Sequence, residues 1–366
     1  MRDVEVLTSR LSTASTMSAA VGGAHLIVEA VPERLDVKQA VYAEIEAAAE
    51  TVYAAMNPTP QYAWPLLAKA SGVTVWVKHE NHTPTGAFKV RGGLVHMRNL
   101  RRQCPDLAGV ITATRGNHGQ SIAYGARANG ANAVIVVPEG NSTEKNAAMQ
   151  AFGAELVVHG LDFQSALEHA EGLAVERRLE MIPSFDVALA QGVATYGMEL
   201  LTAAPGIETL YVPIGLGSGI TGCIAAREAL GLRTEIVGVV AENAPAYALS
   251  FARGEAVSTN SANTFADGLA CRVPAADAVP IICEHAARVI TVSEDEIRAA
   301  IRLYHTATHN LVEGAGAAAL AALMQERAAM AAAPPKTKFG RVSWKCCRGS
   351  LNRRGGQTWK KRGNTI

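Results

Sequence analysis

Between residues 55 and 330 the chain repeats one pattern: a short β-branched run, then a stretch with Ala, Leu and Ile at helical spacing. The runs are Val73–Lys78, Gly109–Ala113, Ala133–Pro138, Glu155–His159, Thr209–Ile214, Glu235–Val240 and Arg288–Val292. Strands apolar on both faces and alternating with helices predict an α/β fold with a parallel sheet covered on both sides. Such sheets present ligands at the carboxyl ends of their strands, where loops meet helix N-termini. The loops after these runs are therefore where chemistry is expected.

Bulk properties exclude several classes. The apolar runs are short and interrupted by charge or Gly, so no segment is expected to span a bilayer. The start, Met1-Arg-Asp-Val-Glu-Val, leads into no continuous apolar stretch, so no signal peptide is expected. The six cysteines, at 104, 223, 271, 283, 346 and 347, form no CxxC pair or metal-ligand spacing, which suits a reducing cytoplasm. The net charge of +1 hides an asymmetry. Ten of the 34 Lys and Arg fall in residues 336–366, which hold no Asp or Glu, leaving 24 basic against 33 acidic side chains in 1–335. An acidic body argues against nucleic-acid binding.

The two ends differ from the middle. Residues Ala24–Ile45 resemble a strand–helix stretch of the NAD-binding domain of 3-hydroxyacyl-CoA dehydrogenases, without the Gly-rich fingerprint that precedes it in that family. Residues 1–50 are accordingly read as an inactive N-terminal remnant. Beyond Pro334-Pro335 the chain contains no Ala, although Ala dominates all that precedes it. Residues 336–366 read as a disordered basic extension or a frame-shifted ending, and the break in composition favours the second.

The central chemistry lies in Lys78-His-Glu-Asn-His-Thr-Pro-Thr-Gly-Ala-Phe-Lys-Val-Arg-Gly92. A strand ends near Lys78, Pro84 and Gly86 make a turn, and a helix is predicted from about Phe88. Lys89 then stands at a helix start on the ligand-binding edge, where desolvation and the helix dipole lower its pKa, as a Schiff-base lysine requires. Gly-Ala-Phe-Lys-Val-Arg-Gly resembles the Ser-Phe-Lys-x-Arg-Gly motif of the threonine/serine dehydratase family, whose lysine holds pyridoxal 5′-phosphate (PLP). Ala87 departs from the usual Ser. The resemblance implies PLP fold type II: two open parallel-sheet lobes covered by helices, with the cofactor in the cleft between them. It places that domain at 51–335, with a small lobe about 90–165 inserted in the large one, and implies a homo-oligomer.

Two further loops complete the pattern. Ile111-Thr-Ala-Thr-Arg-Gly-Asn-His-Gly-Gln-Ser121 follows a strand and opens a helix, forming an anion site suited to an amino-acid carboxylate. By resemblance, Asn117 contacts the cofactor's ring oxygen and Thr114, Arg115, Gly116 and His118 hold the substrate carboxylate. Arg115 stands where serine racemases of the family place a serine acid/base; a guanidinium cannot act as a base, which argues for elimination over racemisation. Tyr211-Val-Pro-Ile-Gly-Leu-Gly-Ser-Gly-Ile-Thr-Gly222 is again strand, glycine loop and helix. Gly215, Gly217, Ser218 and Gly219 resemble the family's phosphate loop. Gly217–Gly222 also satisfies G-x-G-x-x-G, with Glu242 near the offset of a ribose ligand, so a nicotinamide-dependent oxidoreductase competes. That reading leaves Lys89 and the Gly-Asn-His-Gly loop unexplained, which decides for PLP.

Leu311-Val-Glu-Gly-Ala-Gly resembles the family's glutamate-containing helix start, assigning Glu313 beside the cofactor ring, with an ordinary first-turn Glu as the alternative. Cys347-Arg-Gly-Ser350 is the best counterpart of the family's Ser/Cys/Thr-Gly-Gly-Asn, which would set Cys347 at the pyridine nitrogen. Glu242 matches one ligand of metal-binding relatives, but the position of their Asp falls at Ala248, so no metal is expected. The resulting expectation is a PLP-dependent ammonia-lyase converting L-threonine, L-serine or another β-hydroxy amino acid, 3-phenylserine and 3-hydroxyaspartate included, to a 2-oxo acid and ammonia. A PLP-fold protein impaired by its altered ending is the remaining alternative.

Overall fold

The computed structural model describes residues 35–332. The strand expected before residue 35, the basic tail and Cys347 lie outside that range.

The chain opens with α1 (Leu35–Tyr53), followed by β1 (Gln61–Ala63), α2 (Pro65–Ser71) and β2 (Trp76–Lys78). β1 and β2 pair antiparallel, in register Tyr62↔Val77. The run Val73–Lys78 was expected in the parallel sheet and is not. Only its last three residues form a strand, and Trp76 is exposed, so this ribbon is not sandwiched between two helical layers.

Next come α3 (Lys89–Gln103), β3 (Gly109–Ala113), α4 (Asn117–Ala128), β4 (Asn132–Val137), α5 (Thr143–Ala151), β5 (Glu155–Val158), α6 (Phe163–Arg177) and β6 (Glu180–Met181). These strands form a parallel sheet in the order β5-β4-β3-β6. Side chains alternate between its faces. Val110, Ile135 and Val137 join a core that includes Met97 and Ile122 on one side. Ile111, Ala113, Val134 and Val136 meet Ala166, Ala170 and Leu173 on the other. Burial of both faces is why these strands read as unbroken apolar runs.

Then follow α7 (Val187–Ala203), β7 (Thr209–Pro213), α8 (Ser218–Ala229), β8 (Glu235–Ala241), α9 (Ala246–Arg253), α10 (Ala278–His285), β9 (Arg288–Val292), α11 (Glu294–Thr308) and α12 (Gly314–Ala332). Strands β7, β8 and β9 make a second parallel sheet in that order. It too is covered twice: Val239, Ala241 and Val292 pack against α11 and α12, whereas Val212, Ile236 and Val240 pack against α8 and α10. Six of the seven predicted strands are present within a residue at either end. The two that the sequence did not suggest, β1 and β6, are three and two residues long, too short to carry a periodic signal.

The boundary drawn at residue 50 falls inside α1. Ile45, Ala48 and Val52 are buried, and the last two share a core with Val90, Leu94 and Val95 of α3. The second half of this helix is thus built into the body that carries Lys89.

Candidate active site

Helix α3 is seated by backbone contact on two sides. A Cβ on Gly192 of α7 would fall 2.3 Å from the Arg91 carbonyl oxygen, and one on Gly125 of α4 would fall 2.6 Å from that of Gly93. Only glycine permits such approach. The hydroxyl of Ser121 donates to the carbonyl of Lys89 over 2.6 Å, tying the first residue of α3 to α4.

Beneath this helix lies an ion network that the sequence did not reveal. Arg91 is fully buried; its guanidinium bonds Glu80 at 2.8 Å and Glu199 at 2.6 Å and also donates to the hydroxyls of Thr195 and Thr59. Lys78 adds an ammonium 2.5 Å from Glu199, and Tyr53 of α1 donates to the same carboxylate at 2.8 Å. Two cations face two anions, so the cluster is neutral. Burial alone would raise the Glu199 carboxyl, but bonds from Arg91 and Lys78 hold it below its ordinary pKa. Arg91 was visible beside Lys89, but its partner lies 108 residues away on α7, where no local pattern marks it.

Lys89 emerges above this platform into a cavity of about 500 Å³. Burial lowers its ammonium pKa to about 8, against an opposing pull from the Glu313 carboxylate. The same cavity is lined by Asn117, Gly215, Gly217, Ser218, Gly219 and Glu313. Seven positions from four separate segments thus converge on one space. Asn117 donates its side-chain amide to the exposed Glu313, which immediately precedes α12, over 2.7 Å.

The helix ends explain what this space attracts. Helices α5, α6, α7 and α11 are capped by their own Ser142, Asp162, Asp186 and Ser293. Helices α3, α4 and α8, which start at the cavity, have no side-chain cap. In α3 the N–H groups of Val90 and Arg91 donate to Ala87 and Phe88, and in α4 that of Gly119 donates to Thr114; the first N–H groups of α8 lack intrahelical acceptors and remain available to an anion. At α8 the preceding Gly217 has φ of 104°, a left-handed conformation open to glycine, which turns the loop into the helix.

The loop before α4 is arranged differently from its expectation. Thr114, Arg115, Gly116 and His118 do not line the cavity. The Thr114 hydroxyl accepts from the N–H groups of Gly116 and Gly119 and so shapes the loop. Arg115 is exposed. His118 is buried with Nε2 unpartnered, and burial, with Lys89 and His96 adding repulsion, lowers its pKa to about 3; it is a neutral imidazole at neutral pH. Glu242, the ribose candidate, is exposed and outside this cavity. A larger groove of about 1110 Å³ runs along β7 between Val73–Trp76 and α12, but it holds none of the predicted site residues.

Similarity to known proteins agrees with this geometry. The family described as "Pyridoxal-phosphate dependent enzyme" matches residues 52–338. The L-threonine ammonia-lyase of Geobacter sulfurreducens is 37% identical over 258 residues, covering 70% of this chain and 64% of that protein, so the chain spans less than two thirds of its relative's length. The solved structure of the processed form of threonine deaminase isoform 2 from Solanum lycopersicum superposes with a TM-score of 0.75 at 29% identity, covering 83% of this chain and 89% of that one. A pyridoxal 5′-phosphate-dependent aspartate racemase superposes at 0.74 with 29% identity, over 78% and 89% of the two chains. The NAD-binding domain of 3-hydroxyacyl-CoA dehydrogenase matches residues 1–57, further than the resemblance at 24–45 but short of the Gly217–Gly222 loop. That loop lies inside the longer match and faces Lys89, which removes the ground for reading it as a dinucleotide fingerprint. With its lysine, its glycine-bounded helix start and its two parallel sheets accounted for together, the chain belongs to the pyridoxal-phosphate dependent enzymes of fold type II.

Proposed function

We propose that the chain is an ammonia-lyase that converts L-threonine to its 2-oxo acid and ammonia by β-elimination. The observation that carries this reading is Lys89, with its pKa near 8, facing an uncapped glycine helix start across one cavity. The described residues suit PLP: an amine partly deprotonated near neutral pH, first-turn N–H groups at Ser218 and Gly219 for a phosphate, and an uncharged amide at Asn117 for a ring oxygen. Glu313 would stand beside the ring and Cys347, outside the described residues, at its nitrogen. The lobes are read as 90–165 within 51–335, and the assembly as a homo-oligomer.

The bound cofactor supplies an electron sink for the charge left at Cα. Lys89 Nζ would hold the cofactor and, as a free amine, would take the Cα proton. Asn117 and the α8 start would fix orientation, and the α4 start at Asn117, the one part of that loop lining the cavity, would receive the carboxylate. Neutral His118 adds no charge that would compete with it. Water leaves from Cβ, and hydrolysis of the resulting enamine gives the 2-oxo acid and ammonia.

The test is turnover of L-threonine by the full-length, PLP-loaded protein, followed as 2-oxo acid and ammonia in equal amounts. L-Serine, 3-phenylserine and 3-hydroxyaspartate are run beside it to rank substrates. Cofactor uptake without 2-oxo acid from any of them would point instead to the impaired PLP-fold protein. D-Amino acid formed without ammonia would point to a racemase.

A further inference from the structure

We propose that the groove along β7 is a strand position, and that the chain's own residues 341–346 fill it. Among the described residues β7 has one neighbour, β8, so its other edge is free. The Glu208 carbonyl accepts from the Glu235 N–H, and the Ile214 N–H donates to the Val239 carbonyl. The even-numbered residues of β7 therefore face β8, and Thr209 and Tyr211 turn their backbone groups into the groove. A row of unpaired strand groups is a template for a further strand. The surroundings have the layering that a strand requires. Leu200 and Ala204 of α7 and Leu320 and Leu323 of α12 all line the groove. Leu210 packs on the α8 side of the sheet and Tyr211 on the α12 side, so the groove continues the sheet between its two helical layers.

Direction, reach and charge select the occupant. Helix α12 begins beside the Lys89 cavity, which Ala315 and Gly316 line. It runs back past Glu326, whose carboxylate binds the Tyr211 hydroxyl and Arg288, the first residue of β9. The helix thus ends toward the amino ends of the strands, and a segment following it enters the groove parallel to β7. The eight residues 333–340 can span about 26 Å, against the ~9 Å of helix between Glu326 and Ala332. Arg341-Val-Ser-Trp-Lys-Cys346 then alternates polar and apolar residues at the strand period. Three carboxylates, Glu208, Glu235 and Glu326, line the groove against one guanidinium, Arg288. Residues 336–366 bring ten Lys and Arg and no acid. The apolar run at 26–31 is tethered elsewhere. It joins α1, which lies along α7 with Glu44 bonded by Gln191 and Tyr53 bonded to Glu199. Leu35 is thus about 27 Å of helix from Tyr53 and the groove end of α7, beyond the ~10 Å that residues 32–34 span.

Amide hydrogen exchange of the full-length protein, resolved to single residues, reads the free edge directly. Thr209 and Tyr211 should exchange as slowly as Leu210 and Val212, which pair with β8. V342P removes an N–H and bars that residue from a strand interior. In this variant Thr209 and Tyr211 should exchange at least about 10-fold faster, with Leu210 and Val212 unchanged. W344P repeats the measurement if V342P disturbs Leu210 or Val212. Fast exchange of Thr209 and Tyr211 in the unsubstituted protein would overturn the proposal. So would protection that survives both substitutions; if that protection falls on dilution, a second copy of the chain holds the groove instead.

Discussion

Arg91 and Glu199 form a buried ion pair at 2.6 Å, bridging two helices two residues from the lysine that faces the cavity. The pair locks α3 onto α7, and its loss strands charge where water cannot reach. Removing one partner of such a pair costs about 3–5 kcal/mol, because the other remains unpaired. E199A should therefore lose stability on this scale in denaturant melts, since Lys78 loses its carboxylate partner and Arg91 one of its two. A loss below about 1 kcal/mol would mean that the cluster is not dry.

Glycine contacts make a second, independent demand on the same helix. An Ala at position 192 would press its methyl into the Arg91 backbone at 2.3 Å, forcing α3 to move. G192A should destabilise by about 1–3 kcal/mol and slow cofactor attachment at Lys89. Gly172 provides the control: it is helical, and a Cβ there meets nothing within 4 Å. G172A should be stabilising by about 0.5–1 kcal/mol, with attachment unchanged. Comparable attachment rates in both variants would show that the position of α3 does not limit the lysine.

The acidity of Lys89 has a direct kinetic signature. Only the neutral amine attacks a carbonyl, so attachment of PLP to the cofactor-free protein should rise with pH and level off above about 8. An exposed lysine would level off only near 10.4. Glu313 opposes the lowering by stabilising the ammonium. E313Q should thus move the midpoint further down. A midpoint that stays or rises in E313Q would contradict the placement of this carboxylate opposite Lys89.

How much of this was legible follows from which interactions are local. Lys89, the Asn117 turn and Gly215–Gly219 each sit on a strand–loop–helix unit whose parts adjoin in sequence, so residue type and spacing announce them. The parallel strands were legible because burial of both faces makes them continuously apolar, as at Val110, Ile111, Val134 and Ile135. The Arg91–Glu80–Glu199–Lys78 cluster was not, since it unites α3, α7 and the end of β2 only in the folded state. Arg115 illustrates the opposite case. Its loop joins β3 to α4 as the pattern predicted, but the side chain is exposed and outside the cavity wall.

The proposed role of Lys89 as the cofactor's anchor is open to direct chemical test. Borohydride reduction of the PLP-loaded, full-length protein fixes the linkage, and peptide mass mapping then locates it. One phosphopyridoxyl group per chain is expected, on the peptide containing Lys89, and none in K89A. A label on another lysine such as Lys78 or Lys145, or no label at all, would contradict it.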